Sequence, residues 1–101
     1  MPEPTHYAQL TRARIAEEIW DEAYFALVSL KGYLQSMPGF TAMEILGRAD
    51  DDGVSVLTIV RFALEDQLEQ WLETGVTPQR VFEALEEKPT DVTTDYLLEM
   101  A

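Results

Sequence analysis

The stretch SMPGFTAMEILGRADDDGVSVLTIVRF, residues 36–62, decides the fold. Pro38 lacks an amide hydrogen and disfavours helical geometry at Met37, so a helix arriving from the N-terminal side must stop here. Gly39 accepts a turn that other residues resist. Phe40 then opens a run of β-formers, FTAMEILGR. The turn ADDDG (49–53), rich in Asp and Gly, separates it from a second run, VSVLTIVRF, and the pair reads as a hairpin. The SMPGF joint carries no catalytic group. Its work is to send the chain from a helix straight back onto a sheet.

Upstream, THYAQLTRAR (5–14) alternates loosely and reads as a strand. From Ile15 the period changes. Ile15, Ile19, Ala23, Ala26, Leu27, Leu30, Tyr33 and Leu34 recur at three- and four-residue spacing, which predicts an amphipathic helix from about Ile15 to Ser36. Glu17, Glu18, Asp21 and Glu22 suit the positive end of its dipole. Downstream, Leu64, Leu68, Trp71 and Leu72 share one helical face, opposite Glu65, Asp66, Glu69, Gln70 and Glu73. Gly75 suits the end of that helix. Thr77-Pro78 suits the start of a shorter one over Pro78–Glu87, which Pro89 ends. DVTTDYLLEM (91–100) reads as a closing strand. The order β-α-β-β-α-β, with the second helix in two pieces, predicts an α+β, ferredoxin-like fold: a four-stranded antiparallel sheet with its helices on one face. Residues 1–101 read as a single domain, with no repeat or linker.

Such a sheet, wetted on its free face, should alternate apolar and polar residues. This one does not. Val54, Val56, Val60 and Phe62 oppose Leu57 and Ile59. Phe40, Ala42 and Leu46 oppose Met43 and Ile45. Val92, Tyr96, Leu98 and Met100 oppose Leu97. An apolar face of that extent calls for a cover, and a second copy packed sheet to sheet is the simplest. The expected partner is therefore the chain itself.

Composition narrows the function. With 19 acidic and 7 basic residues, a net charge of −12, the surface repels nucleic acid and anionic lipid. It also disfavours an anionic ligand unless local cations offset the field. There is no cysteine, which removes thiol catalysis, disulfides and cysteine metal sites. The N-terminal residues lack a basic stretch followed by an apolar run, and Val54–Leu64 is too short to span a bilayer. The expectation is a cytoplasmic protein with no membrane partner.

No motif assigns a reaction. His6, the one histidine, lies near a terminus and reads as an incidental surface residue rather than a base or ligand. Asp50-Asp51-Asp52-Gly53 lacks the alternate oxygen ligands of a calcium loop and reads as a solvated turn. The glycines do not form a phosphate-binding pattern. Arg61, inside an apolar strand, either pairs with a carboxylate or holds an oxyanion; pairing is favoured. Gln9, with Tyr7 and Thr11 on its face, points either into a cavity or to a solvated edge. The aromatics suggest most. Trp20, Tyr24, Phe25 and Tyr33 lie on the first helix and Trp71 on the second. They read as core or interface, or as the lining of a pocket for a flat apolar ligand.

The first strand, the long helix, Met37-Pro38-Gly39-Phe40, the hairpin, VLTIVRF and EDQLEQWLET (65–74) together resemble the antibiotic biosynthesis monooxygenase domain of the dimeric α+β barrel superfamily. The likeness covers roughly residues 7–74 in sequence and the remainder in topology. It implies a homodimer whose sheets form a barrel, with a pocket between sheet and helices in each subunit. Its members include enzymes that oxidise polycyclic phenols without metal or flavin, haem-degrading enzymes and small isomerases. Trp71 matches the pocket tryptophan of the oxygenases. Those enzymes carry an Asn on the first strand, where this chain has Ala8 and Gln9. The haem-degrading members use a His on the second helical region, and Thr77–Leu85 contains none. The resemblance implies a monooxygenase acting on an aromatic or polycyclic molecule with no cofactor and no metal. Trp71, Gln9, Arg61, Trp20 and Phe25 are its expected ligand-binding residues. The alternative is a non-catalytic binding module of the same fold.

Overall fold

The computed structural model describes residues 3–100. Strand β1 (His6–Ile15) leads through a 3-10 turn (Glu17–Ile19) into helix α1 (Trp20–Leu34). Strands β2 (Phe40–Asp50) and β3 (Gly53–Phe62) form the hairpin. Helices α2 (Glu65–Thr74) and α3 (Pro78–Glu83) follow, and β4 (Thr90–Glu99) closes the sheet. The four strands run antiparallel in the order β2-β3-β1-β4, with β1 and β3 in the centre. All the helices lie on one side, in a slab 44 × 26 × 17 Å, thin enough for one helix layer on one sheet.

The joint between α1 and the hairpin is built as its sequence demands. Gly39 has φ 81°, and the Phe40 amide donates back to the Met37 carbonyl at 3.3 Å. The Gly39 carbonyl accepts from Ala63 N–H at 2.9 Å, tying the joint to the far end of the hairpin. The opposite end closes on Asp50, whose Oδ1 accepts from the Asp52 amide at 2.8 Å. Gly53 there has φ 143°, and a Cβ on it would lie 2.5 Å from the Ile15 carbonyl.

The structure departs from the sequence reading at several points: α1 ends at Leu34 rather than Ser36, and α3, read as Pro78–Glu87, ends at Glu83. Ile15 is the last residue of β1, paired with Val54, and α1 begins only at Trp20. Ile15 and Ile19 are both buried, so apolar spacing runs across the strand end without marking it. Tyr33 is exposed, while Ala23, Leu27, Leu30 and Leu34 make the buried stripe of α1. Phe40 does not share a face with Ala42. A register shift at Thr41 turns it to the side of Phe62, and their rings meet edge to face at 6.0 Å.

Register settles which side meets the helices. Gln9, Thr11, Ala13 and Ile15 of β1, with Val60, Thr58, Val56 and Val54 opposite them, face the helix layer. Ala8, Leu10 and Arg12, with Arg61, Ile59 and Leu57, face away from it, joined by Leu46 and Leu97 from the outer strands. Both faces carry apolar side chains, the helix-side face being interrupted at its centre by the buried Gln9, Thr11 and Thr58. Leu46 and Leu97 are about half exposed, because nothing in the described chain covers that side.

A cleft between the second helix and the edge strand

Helix α2 covers β1 and β3, and α3 reaches β4 at Thr94, but neither covers the far end of β4, leaving Tyr96 and Leu98 half exposed on the helix side. A cavity of about 290 Å³ results, between α2 and the edge of the sheet. Tyr7, Leu68, Leu72, Tyr96 and Leu98 line it, with Glu65 and Glu69 at its mouth. Tyr7 and Leu98 are register partners, as are Gln9 and Tyr96. The sheet itself therefore fixes the two phenols and the carboxamide relative to each other.

Gln9 lies behind Tyr96, 3% exposed. Its Nε2 donates to the Tyr96 hydroxyl at 3.3 Å, and its Oε1, equally buried, has no partner. Turning the carboxamide exchanges donor and acceptor and still leaves one end unpaired. An orphan of this kind costs about 1–3 kcal/mol. Next to Gln9 the polar row continues. Thr58 donates to the Thr11 carbonyl at 3.5 Å, the Thr11 and Thr94 hydroxyls lie 3.4 Å apart, and Thr94 donates to Gln79 Oε1 at 2.9 Å. Thr11 and Thr58 are completely buried. The two orientations left open for Gln9 and Thr11 thus resolve inward.

The other expected site residues are dispersed. Trp71 is fully buried and stacks on Phe62, ring centroids 5.4 Å apart at 25°. Its Nε1–H donates to the Val76 carbonyl at 2.7 Å, so the indole is committed to the core and does not line the cleft. Arg61 points to the opposite sheet face, where Glu44 and Glu99 hold it, the latter at 3.3 Å from Nε. It shares no cavity with Gln9. Trp20 caps Gly47 on β2, where an added Cβ would meet its ring at 2.8 Å, and it leans on Tyr24 at 5.6 Å. Phe25 is 75% exposed on the outer side of α1. His6 Nδ1 lies 3.1 Å from Glu99. The sequence reading missed Tyr96 as the partner of Gln9 and did not single out Glu65 and Glu69. The alternation of β4 put Tyr96 on an apolar face, but only the β1–β4 register brings it to Gln9.

No Lys or Arg lines this cleft. The hydrogen-bond donors lining it are the Tyr7 and Tyr96 hydroxyls, Gln9 being held behind Tyr96, and the nearby ionisable acids are Glu65 and Glu69. Among the described residues no three His, Asp or Glu side chains gather as a metal site would require. No described helix is long and apolar enough to cross a membrane.

Solved structures share this arrangement almost end to end. The cofactor-independent oxygenase SnoaB from Streptomyces nogalater matches with a TM-score of 0.68 over 96% of this chain and 93% of its own, at 17% identity. A proposed antibiotic biosynthesis monooxygenase from Nitrosomonas europaea matches with a TM-score of 0.72 over 98% and 92%, at 14% identity. The fold is that of the antibiotic biosynthesis monooxygenases. The βαββαβ order and four-stranded antiparallel sheet expected from the sequence are therefore present. The monooxygenase-type fold is also reached by a de novo designed protein, with a TM-score of 0.68 at 13% identity, so shape by itself carries no activity. No family model and no curated protein matches the sequence.

Proposed function

We propose that the protein is a homodimeric cytoplasmic monooxygenase that oxidises a flat phenolic molecule, aromatic or polycyclic, without metal or flavin. The observation that carries this is the unpaired end of the Gln9 carboxamide, buried behind a phenol that lines an apolar cleft. A ring system fits between Leu68, Leu72 and Leu98, and its hydroxyl meets the Tyr7 and Tyr96 phenols. With no cation in the cleft, a phenolate is stabilised by these donors alone. Glu65 or Glu69 accepts the phenolic proton at the mouth. The ring then supplies the electrons. A ring CH₂ and one O₂ become C=O and water, one oxygen atom going to each product. The protein's part is placement and exclusion of water. The oxygenase SnoaB, of the same fold, supports the reading. Sheet-to-sheet dimerisation is supported by the half-exposed Leu46 and Leu97 beside Leu10, Leu57 and Ile59.

A second reading, a binding module without turnover, is favoured by one observation: Trp71 and Arg61, both expected at the reaction centre, lie outside the cleft. One experiment separates the two. The protein is incubated with a hydroxylated anthrone, which carries the ring CH₂, in air while oxygen uptake is followed. Uptake that falls at least tenfold in Gln9→Leu and Tyr96→Phe, with melting temperature retained, supports the enzyme. Saturable binding without uptake supports the module. Neither uptake nor binding removes the cleft as a site.

A further inference from the structure

The cleft between α2 and β4 carries charge of one sign. Helix α2 lays Glu65 and Glu69, one turn apart, along its mouth, and every charged residue of that helix is acidic: Glu65, Asp66, Glu69 and Glu73. Both mouth glutamates are exposed, and among the described residues neither is in an ion pair. The cations stand elsewhere. Arg12, Arg14, Arg48 and Arg61 lie at register positions of the helix-free sheet face. Lys31 borders a groove beside β2, at the opposite edge of the sheet from β4. Arg80 lies beside Glu83, and Lys88 donates to the Glu83 carbonyl. The positive end of the α2 dipole offsets part of the charge on Glu65, in the first turn, and does little for Glu69 in the second. The net charge of −12 adds to the same sign.

Inside this rim the cleft is apolar and aromatic, with Leu68, Leu72 and Leu98 beside the rings of Tyr7 and Tyr96. A divalent metal ion needs more oxygen ligands than two carboxylates supply, and the described residues gather no third acid there. An organic cation is met at every point. Aromatic rings attract an ammonium, carboxylates bind it through charge-assisted hydrogen bonds, and the leucines take its apolar body. We infer that the ligand of this cleft carries a protonated amine. The rings of the flat phenolic molecule lie between Leu68, Leu72 and Leu98, and its ammonium lies beside the two glutamates, one of which remains to accept the phenolic proton. This rests on the reading of the cleft proposed above and adds the charge class of its substrate. An ammonium at the mouth keeps part of its water, so its pairing is not offset by the desolvation of a buried charge. A carboxylate or phosphate in the same place meets like charge, and acidic molecules are turned away.

The test uses three naphthols that differ in one substituent: aminomethyl, methyl or carboxylate. Their binding to wild type and to the double variant Glu65→Gln, Glu69→Gln is measured by isothermal titration calorimetry near neutral pH and at low salt, with circular dichroism to check the fold. Exposed carboxylates contribute modestly, so the aminomethyl compound should bind about five- to tenfold more tightly than the methyl one, and the carboxylate compound most weakly. The ratio of aminomethyl to methyl affinity should shrink as NaCl is raised and approach one in the double variant. The salt series reads the same preference on wild type without any substitution. Equal affinities for the aminomethyl and methyl compounds in wild type overturn the inference. A preference for the carboxylate compound does so too, as does a cation preference that both high salt and the double variant leave intact. Binding of none of the three removes the cleft as the ligand site, and the charge class with it. Oxygen uptake separates this inference from the oxidation reading. Cation preference without uptake upholds the charge class and leaves a binding module. Uptake with the hydroxylated anthrone, alongside equal affinities for the three naphthols, keeps the oxidation and overturns the charge class.

Discussion

Replacing Trp71 by Ala tests whether this indole belongs to the core or to the chemistry. The ring is fully buried, stacks on Phe62 and donates to the Val76 carbonyl at 2.7 Å. Truncating a buried Trp to Ala costs about 3–5 kcal/mol, because the cavity left behind collapses only in part. A domain of this size has roughly 5–15 kcal/mol in all, so the loss is a large fraction of its stability. At about 4–8 °C per kcal/mol, the melting temperature should fall by roughly 12–40 °C. Trp71→Phe keeps the stack on Phe62 and loses chiefly one hydrogen bond, about 0.5–1.5 kcal/mol, plus some packing volume. The assay is thermal and urea unfolding followed by far-ultraviolet circular dichroism, since indole fluorescence itself changes with the substitution. Loss of activity in Trp71→Ala is then a sign of unfolding, and Trp71→Phe, still folded, should retain ligand binding. A Trp71→Ala protein melting within about 5 °C of wild type would refute the reasoning. So would a well-folded Trp71→Phe protein that no longer binds.

Two further outcomes follow from the two ends of the hairpin. Gly39→Ala should destabilise by roughly 1–3 kcal/mol in urea titration, since φ 81° strains any side chain. The new Cβ would also meet the Gln67 carboxamide at 1.7 Å, so unchanged stability would mean that both the turn and Gln67 relax freely. At the other end, the hydrogen bond from Arg14, followed by the one from the Asp52 amide, holds the Asp50 carboxyl below the usual carboxylate range. Its contribution is therefore complete above the unfolded value of about 4 and is lost as pH falls through the lower folded value. Carbon-13 NMR should show Asp50 titrating below the usual carboxylate range, and Arg14→Gln should return it towards that range.

The sequence by itself determined the order of elements and the punctuation between them. Pro38-Gly39 and the Asp-Gly turn act locally, through backbone geometry that needs no distant partner, and the structure places both as read. The apolar character of both sheet faces was equally legible, because alternation along a strand is a local pattern. Which face meets the helices was not, since a one-residue shift exchanges them and only packing of Leu27, Leu34, Phe82 and Trp71 against Val56, Val60 and Phe62 selects one. The same choice set Arg61 apart from Gln9, turned Phe40 across the sheet at the bulge, and joined Gln9 to a tyrosine 87 residues away. These are long-range pairings, fixed by the register of β1 against strands far along the chain. No local pattern of residue types encodes them.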